Sequence, residues 1–163
     1  MEPLVSTMLA GIGATALMDA WSLVRRRLFG VPLPDYGLVG RWIGHMRRGR
    51  FRHDAIGRAA SLRHEAALGW GAHYLIGIAY AALLPLFRGV AWFNEPTLAP
   101  ALAVGIGTVL APFLLMQPGM GAGFFASRSP RPAVARMHSL ATHAVFGLGL
   151  YLAASGLRAI GMP

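Results

Sequence analysis

Cysteine is absent, lysine is absent, and acidic side chains are scarce. Without cysteine the chain forms no disulfide, offers no thiolate to a metal, holds no cysteine nucleophile and leaves its redox compartment undefined. Charge of either sign is rare: 13% of the 163 residues are charged against 55% hydrophobic, and mean hydropathy is positive. That balance excludes an ordinary soluble domain and makes the bilayer the expected solvent. The length suits one domain spanning residues 1–163.

What charge there is runs one way, with a formal net charge of +9 from arginine alone. Such a balance raises nucleic acid as a partner, but these arginines flank apolar runs, so anionic lipid headgroups explain them more economically.

A membrane helix needs roughly 20 predominantly apolar residues to cross about 30 Å of hydrocarbon. Four stretches qualify: 4–24, 66–87, 97–126 and 137–157. The third carries Pro100, Pro112 and Pro118, so it is expected to bend and to finish in the irregular turn PGMGAG. The first has Glu2 ahead of it and Arg25, Arg26 and Arg27 behind it, the reverse of a signal peptide, and is expected to stay in the mature protein.

Ten arginines lie between spans one and two (Arg25, Arg26, Arg27, Arg41, Arg47, Arg48, Arg50, Arg52, Arg58, Arg63) and three between spans three and four (Arg128, Arg131, Arg136). Only Arg88 and Arg158 fall on the other side. The positive-inside rule then places the loop 25–65 in the cytoplasm and both termini outside. Trp92 and Phe93 suit the outer interface, and Trp21, Trp42 and Trp70 the inner one. Within the long loop, YGLVGRWIGHM repeats Leu38, Val39, Trp42, Ile43 and Met46 at helical spacing beside Arg41, Arg47 and Arg48. This predicts a short amphipathic helix on the inner leaflet, with Arg25, Arg26, Arg27, Arg41, Arg47, Arg48, Arg50 and Arg52 as its lipid-facing basic surface. A docking surface for a partner is the alternative. For nucleic acid the signal is weak, since RRGRFRHD has no stacking platform beyond Phe51.

Histidine recurs inside the spans. His73 stands four residues before Gly77 and seven before Tyr80; His143 stands four before Gly147 and eight before Tyr151. Spans one and three echo each other through Gly11-Ile12-Gly13 and Gly105-Ile106-Gly107. The chain therefore reads as two parallel copies of one helical hairpin, with the long loop absorbing the difference in length. At 1.5 Å per residue both histidines lie roughly 10 Å below the inner surface. Asp19 and Gln117 fall near the same level, so an inner polar layer of Asp19, His73, Gln117 and His143 is expected. Spacing by four puts Gly69, His73, Gly77 and Ala81 on one face of span two, and Ser139, His143, Gly147, Tyr151 and Ser155 on one face of span four. Gly11, Thr15, Asp19 and Ser22 form the matching face of span one; Gln117 lies one step off the stripe of span three, Gly105, Thr108, Pro112, Met116 and Gly119. Small residues on such stripes let helices approach closely.

Taken together, GIGATALMDAWSLVRRRLFGVP, YGLVGRWIGHMRRGRFRHD, GWGAHYLIGIAY, LMQPGMGAGFFASRSP and SLATHAVFGLGLYL resemble a bacterial family of small inner-membrane proteins catalogued only as a domain of unknown function. The resemblance implies an all-α, integral membrane four-helix bundle and supplies no activity, substrate or cofactor.

Four readings of the polar layer follow. In the first it ties the helices in register, as intramembrane polar groups need partners whatever else they do. In the second, Asp and His mark a path for protons, an ion or a small solute, with a homodimer or larger complex enclosing the pore. In the third, His73 and His143 are axial haem ligands, or a metal ion sits among Asp19, His73, His143, Met116 and Met18. His45, His53, His64 and His138 read as solvated loop residues. The fourth is catalysis, for which the material is thin: Ser139 lies one turn from His143, no G-x-S-x-G elbow is present, and only lipid chemistry through Asp19 and His73 stays open.

Overall fold

The fold is known from a computed structural model, which describes residues 3–162; Glu2 lies outside them. Among the described residues every regular element is helical: α1 (Pro3–Phe29), α2 (Tyr36–Met46), α3 (Glu65–Ala81), α4 (Leu83–Arg88), α5 (Leu98–Gly107), α6 (Gln117–Met120) and α7 (Pro132–Ala159), with short turns between. Pro3–Phe29, Glu65–Arg88, Leu98–Met120 and Pro132–Ala159 are long and apolar enough to cross a membrane. Each of the four expected stretches therefore falls on such a helix.

Prolines set the breaks. Pro85 has no N–H to give the carbonyl of Ala81, and α3 ends there before α4 resumes at Leu83. Pro112 likewise cannot bond back to Thr108, and the chain widens into a π turn over Pro112–Met116, closed by the Gln117 N–H on the Pro112 carbonyl. The third helical run stops at Met120, short of the expected Ala126, because Gly121 takes a left-handed conformation (φ 100°) that ends α6.

The contacts gather the chain into two units. The first comprises 1–33, 74–108 and 140–163. Its core is built from Ala10, Ala14, Ala81, Leu84, Ala101, Phe146, Leu150 and Ala154, joined by Trp92 and Phe93. The last two were candidates for the outer interface; they are buried instead, with Trp92 Nε1 donating to Thr97 Oγ1 at 3.2 Å. Gly89 turns the chain there at a positive φ of 76°.

Helices of this unit meet backbone to backbone. A Cβ on Gly11 of α1 would lie 2.6 Å from Ile78 Cα and 3.0 Å from the Gly77 carbonyl of α3. A Cβ on Gly105 of α5 would lie 2.5 Å from the Gly147 nitrogen of α7, and one on Gly149 would lie 2.7 Å from Ala14 Cα of α1. Alanines and glycines line these contacts beside Leu84, Phe146 and Leu150, while Leu4, Leu9, Ile12, Leu75, Ile76, Leu86, Phe87, Ile106, Leu148 and Leu152 stand exposed. This is the reverse of a water-soluble fold and the arrangement lipid selects.

The second unit comprises 34–73 and 109–139. In it the Asp35 carboxylate caps α2 by accepting from the Leu38 N–H at 3.4 Å. The carbonyls of Tyr36 and Glu65 fill the spaces where Gly69 and Gly40 would carry side chains.

Gly77→Leu is expected to destabilise the protein by more than about 2 kcal/mol through overpacking against Thr15 and Gly11. Gly71→Leu, which meets nothing within 4 Å, is expected to fold normally. Thermal denaturation of the two variants in detergent checks this.

Candidate functional site

Two polar contacts of the first unit run between helices. Tyr74 of α3 donates its hydroxyl to Asp19 Oδ2 of α1 at 3.1 Å. His143 of α7 has Nδ1 3.0 Å from Thr108 Oγ1 and 3.3 Å from the Gly105 carbonyl. The Thr108 hydroxyl itself donates to that carbonyl at 2.6 Å, so it has only lone pairs left for the ring. The proton therefore sits on His143 Nδ1, and the ring donates to both oxygens. The histidine joins α7 to the end of α5. Thr15 and Ser22 return their hydroxyls to the Gly11 and Met18 carbonyls of α1, at 2.7 and 3.1 Å. Arg25 is buried with Nη2 3.3 Å from Ser22 Oγ.

In the second unit, Arg41 closes a bidentate fork on Glu65, Nε to Oε2 at 2.8 Å and Nη2 to Oε1 at 2.6 Å. Its remaining Nη1 donates to the carbonyls of Gly57 and Ala59 at 3.3 and 3.2 Å. The hydrogen bond to the Glu65 carboxylate raises the Arg41 guanidinium above its ordinary range, so it stays charged. Glu65 Oε2 also accepts from the Leu62 N–H at 2.8 Å. One ion pair thus fixes α2, the loop 57–62 and the start of α3.

The loop after α2 is fastened as tightly. Trp42 Nε1 donates to the Phe51 carbonyl at 2.9 Å while its ring covers Gly119, where a Cβ would lie 2.7 Å away. The His53 N–H bonds the Gly119 carbonyl at 2.9 Å. His45 and His53, expected in solvent, are buried side by side with ring centroids 5.1 Å apart at 63°. The loop folds back over α2 through these long-range bonds, a closure that α2's own periodicity does not announce. Burial first, then the charge of Arg50, holds the His53 imidazole below its ordinary value.

The remaining candidates belong to the second unit, apart from Met18. His73 stacks on Tyr36 with centroids 4.1 Å apart at 24°, and Trp70 meets Tyr36 edge-on at 4.5 Å. Gln117 Oε1 is buried without a hydrogen-bond partner. Met18 packs partly buried against the first core, and Met116 is half-buried. Among the described residues, no three or more His, Asp or Glu side chains are grouped together, so Asp19, His73 and His143 do not form a joint metal site. Of the basic loop, Arg26, Arg27, Arg47, Arg48, Arg50 and Arg52 are exposed, whereas Arg25 and Arg41 are engaged within the protein. Sequence reasoning passed over Tyr74, Glu65 and Tyr36 as partners. Only Thr108 left a signal, its place on the Gly105 stripe.

The chain belongs to the family described as "Protein of unknown function (DUF2938)", whose model matches residues 8–156. No curated protein and no solved structure matches it.

Arg41→Lys keeps the charge but not the fork, and is expected to speed backbone hydrogen exchange over 56–64 by about tenfold or more. Arg47→Lys, at an exposed position, is expected to leave exchange unchanged. Exchange mass spectrometry on the solubilised protein distinguishes them.

Proposed function

We propose that this member of the family is a multi-pass protein of the bacterial cytoplasmic membrane whose intramembrane polar groups tie its helices together, a structural or accessory component rather than a catalyst. The observation that carries this reading is the commitment of Asp19 to Tyr74 and of His143 to Thr108 and Gly105, each across a helix pair. In hydrocarbon an unsatisfied polar group costs several kcal/mol, so these bonds answer a need that exists without turnover. Each such bond adds only about 0.6–2 kcal/mol of net stability. The glycine contacts therefore supply most of the packing, and the polar pairs select the register.

The arginine asymmetry supports a cytoplasmic loop 25–65 and outer termini. The exposed Arg26, Arg27, Arg47, Arg48, Arg50 and Arg52 suit anionic headgroups, with α2 lying at the inner interface. The duplicated-hairpin reading gains support from equivalent contacts: Gly11 meets Gly77 as Gly105 meets Gly147, and each pair joins a GIG motif to the glycine four residues after an intramembrane histidine.

A second reading, a small proton, ion or solute pathway formed by a homodimer, is favoured by one feature. The π turn at Pro112–Met116 loosens the third span where a conducting protein would need to bend.

The two readings divide at Asp19. Asn there can still accept from Tyr74, so the structural reading expects Asp19→Asn to remain within about 1 kcal/mol of wild type and Asp19→Leu to lose about 1–3 kcal/mol. The pathway reading expects a proton or ion flux in wild-type proteoliposomes that Asp19→Asn abolishes while the protein stays folded. Orientation is tested separately. Because the chain has no cysteine, a cysteine placed at Gly49 is expected to react with an impermeant maleimide only after the membrane is opened, and one at Gly161 before. The reverse pattern would invert the topology.

A further inference from the structure

Two imidazole lone pairs inside the second unit face no donor. His45 and His53 are 3% and 8% exposed. His45 Nε2 lies 2.9 Å from the Ala60 carbonyl, and since a carbonyl only accepts, Nε2 carries the proton. Its other nitrogen, Nδ1, is buried and without a hydrogen-bond partner. His53 shows the mirror arrangement: the Arg50 carbonyl accepts from the ring, Nε2 is buried without a partner, and so the donor is Nδ1. Each ring is thus anchored at one nitrogen by a main-chain carbonyl and has its other nitrogen buried and unused. Histidines that bind metals are held this way, the carbonyl fixing the tautomer and turning the other nitrogen to the ion.

Separation and surroundings agree. With a metal–nitrogen bond of about 2.0–2.1 Å, two imidazoles on a tetrahedral ion have ring centroids about 5 Å apart; here they are 5.1 Å apart. The rings are held from several sides: His53 by its N–H on the Gly119 carbonyl, and α2 by Trp42 over the same Gly119. Asp54 acts electrostatically on His53 and Glu65 on His45, offsetting Arg50. Gln117, two residues before Gly119, adds a third buried acceptor without a donor, its Oε1.

We propose that His45 Nδ1 and His53 Nε2 ligate a divalent transition-metal ion of the zinc class. Nitrogen donors favour zinc, copper or nickel over magnesium and calcium. Water or Gln117 Oε1 fills the remaining positions. The site is separate from His73 and His143 and does not rest on the membrane reading.

The test uses the full chain, purified in detergent, stripped with a chelator and dialysed against Zn²⁺. One equivalent per chain is expected to be retained. His45→Gln and His53→Gln are each expected to weaken retention by at least about tenfold, and His64→Gln, at an exposed position, to leave it unchanged. Because either ligand variant could loosen the loop, wild-type protein labelled with ¹⁵N-histidine provides a second measurement. Zn²⁺ is expected to shift His45 Nδ1 and His53 Nε2 and to leave their N–H partners protonated. Absence of retained Zn²⁺, or retention with shifts confined to other histidines, would overturn the proposal and leave an ordered water as the partner of both lone pairs.

Discussion

Close approach of helix backbones at glycine is the constraint on which the first unit depends. Lipid is as apolar as leucine, so burying large side chains between helices gains little there; van der Waals contact between backbones gains more. The sequence obeys this arithmetic. Gly11 against Gly77, Gly105 against Gly147 and Gly149 against Ala14 admit no side chain, while Leu4, Leu9, Ile12, Leu75, Ile76, Phe87 and Leu152 are turned outward. Everything else in the unit sits in the places these contacts allow. The hydroxyl of Thr15 occupies the space beside Gly77, and the His143 ring reaches Gly105 because α5 and α7 touch one turn away.

The polar groups follow from that proximity. A histidine inside a membrane must find its donors and acceptors within the protein, and His143 does so on the helix its own glycine neighbour contacts. The second unit solves a different problem. Its order comes from side chains bonding to loop carbonyls: Arg41 to Gly57 and Ala59, Trp42 to Phe51, His45 to Ala60. A loop so fastened is a built element. The arginines divide accordingly, Arg41 holding the loop closed and its exposed neighbours left for whatever lies outside.

The fold was largely legible in the sequence because lipid imposes a crude code. Four apolar runs gave four long helices, and spacing by four found Gly77, His143 and Gly147 on inward faces. The site was less legible. Apolar periodicity says which face of a helix is buried but not which loop returns to cover it, so His45 and His53 read as solvated when they are enclosed. Trp92 and Phe93 misled for a related reason: an aromatic at the end of a span fits an interface belt and a protein core equally well until the turn at Gly89 decides. Tyr74 carried no signal, since one tyrosine in an apolar helix is common, and its value lies in Asp19 standing opposite.

A contrast between two helix pairs narrows where a function beyond packing would reside. Gly13 to His73 is 60 residues and Gly107 to His143 is 36, a difference of 24. Gly11 meets Gly77 as Gly105 meets Gly147, so the extra residues are not needed to build such a contact. They fall in a segment that holds the Arg41 fork, most of the exposed arginines and the only adjoining pair of buried histidines among the described residues. A stretch kept merely as a connector would be free to be short, polar and loosely attached. This one encloses two basic nitrogens at the cost of leaving them unsatisfied, a burden that packing alone gives no reason to carry.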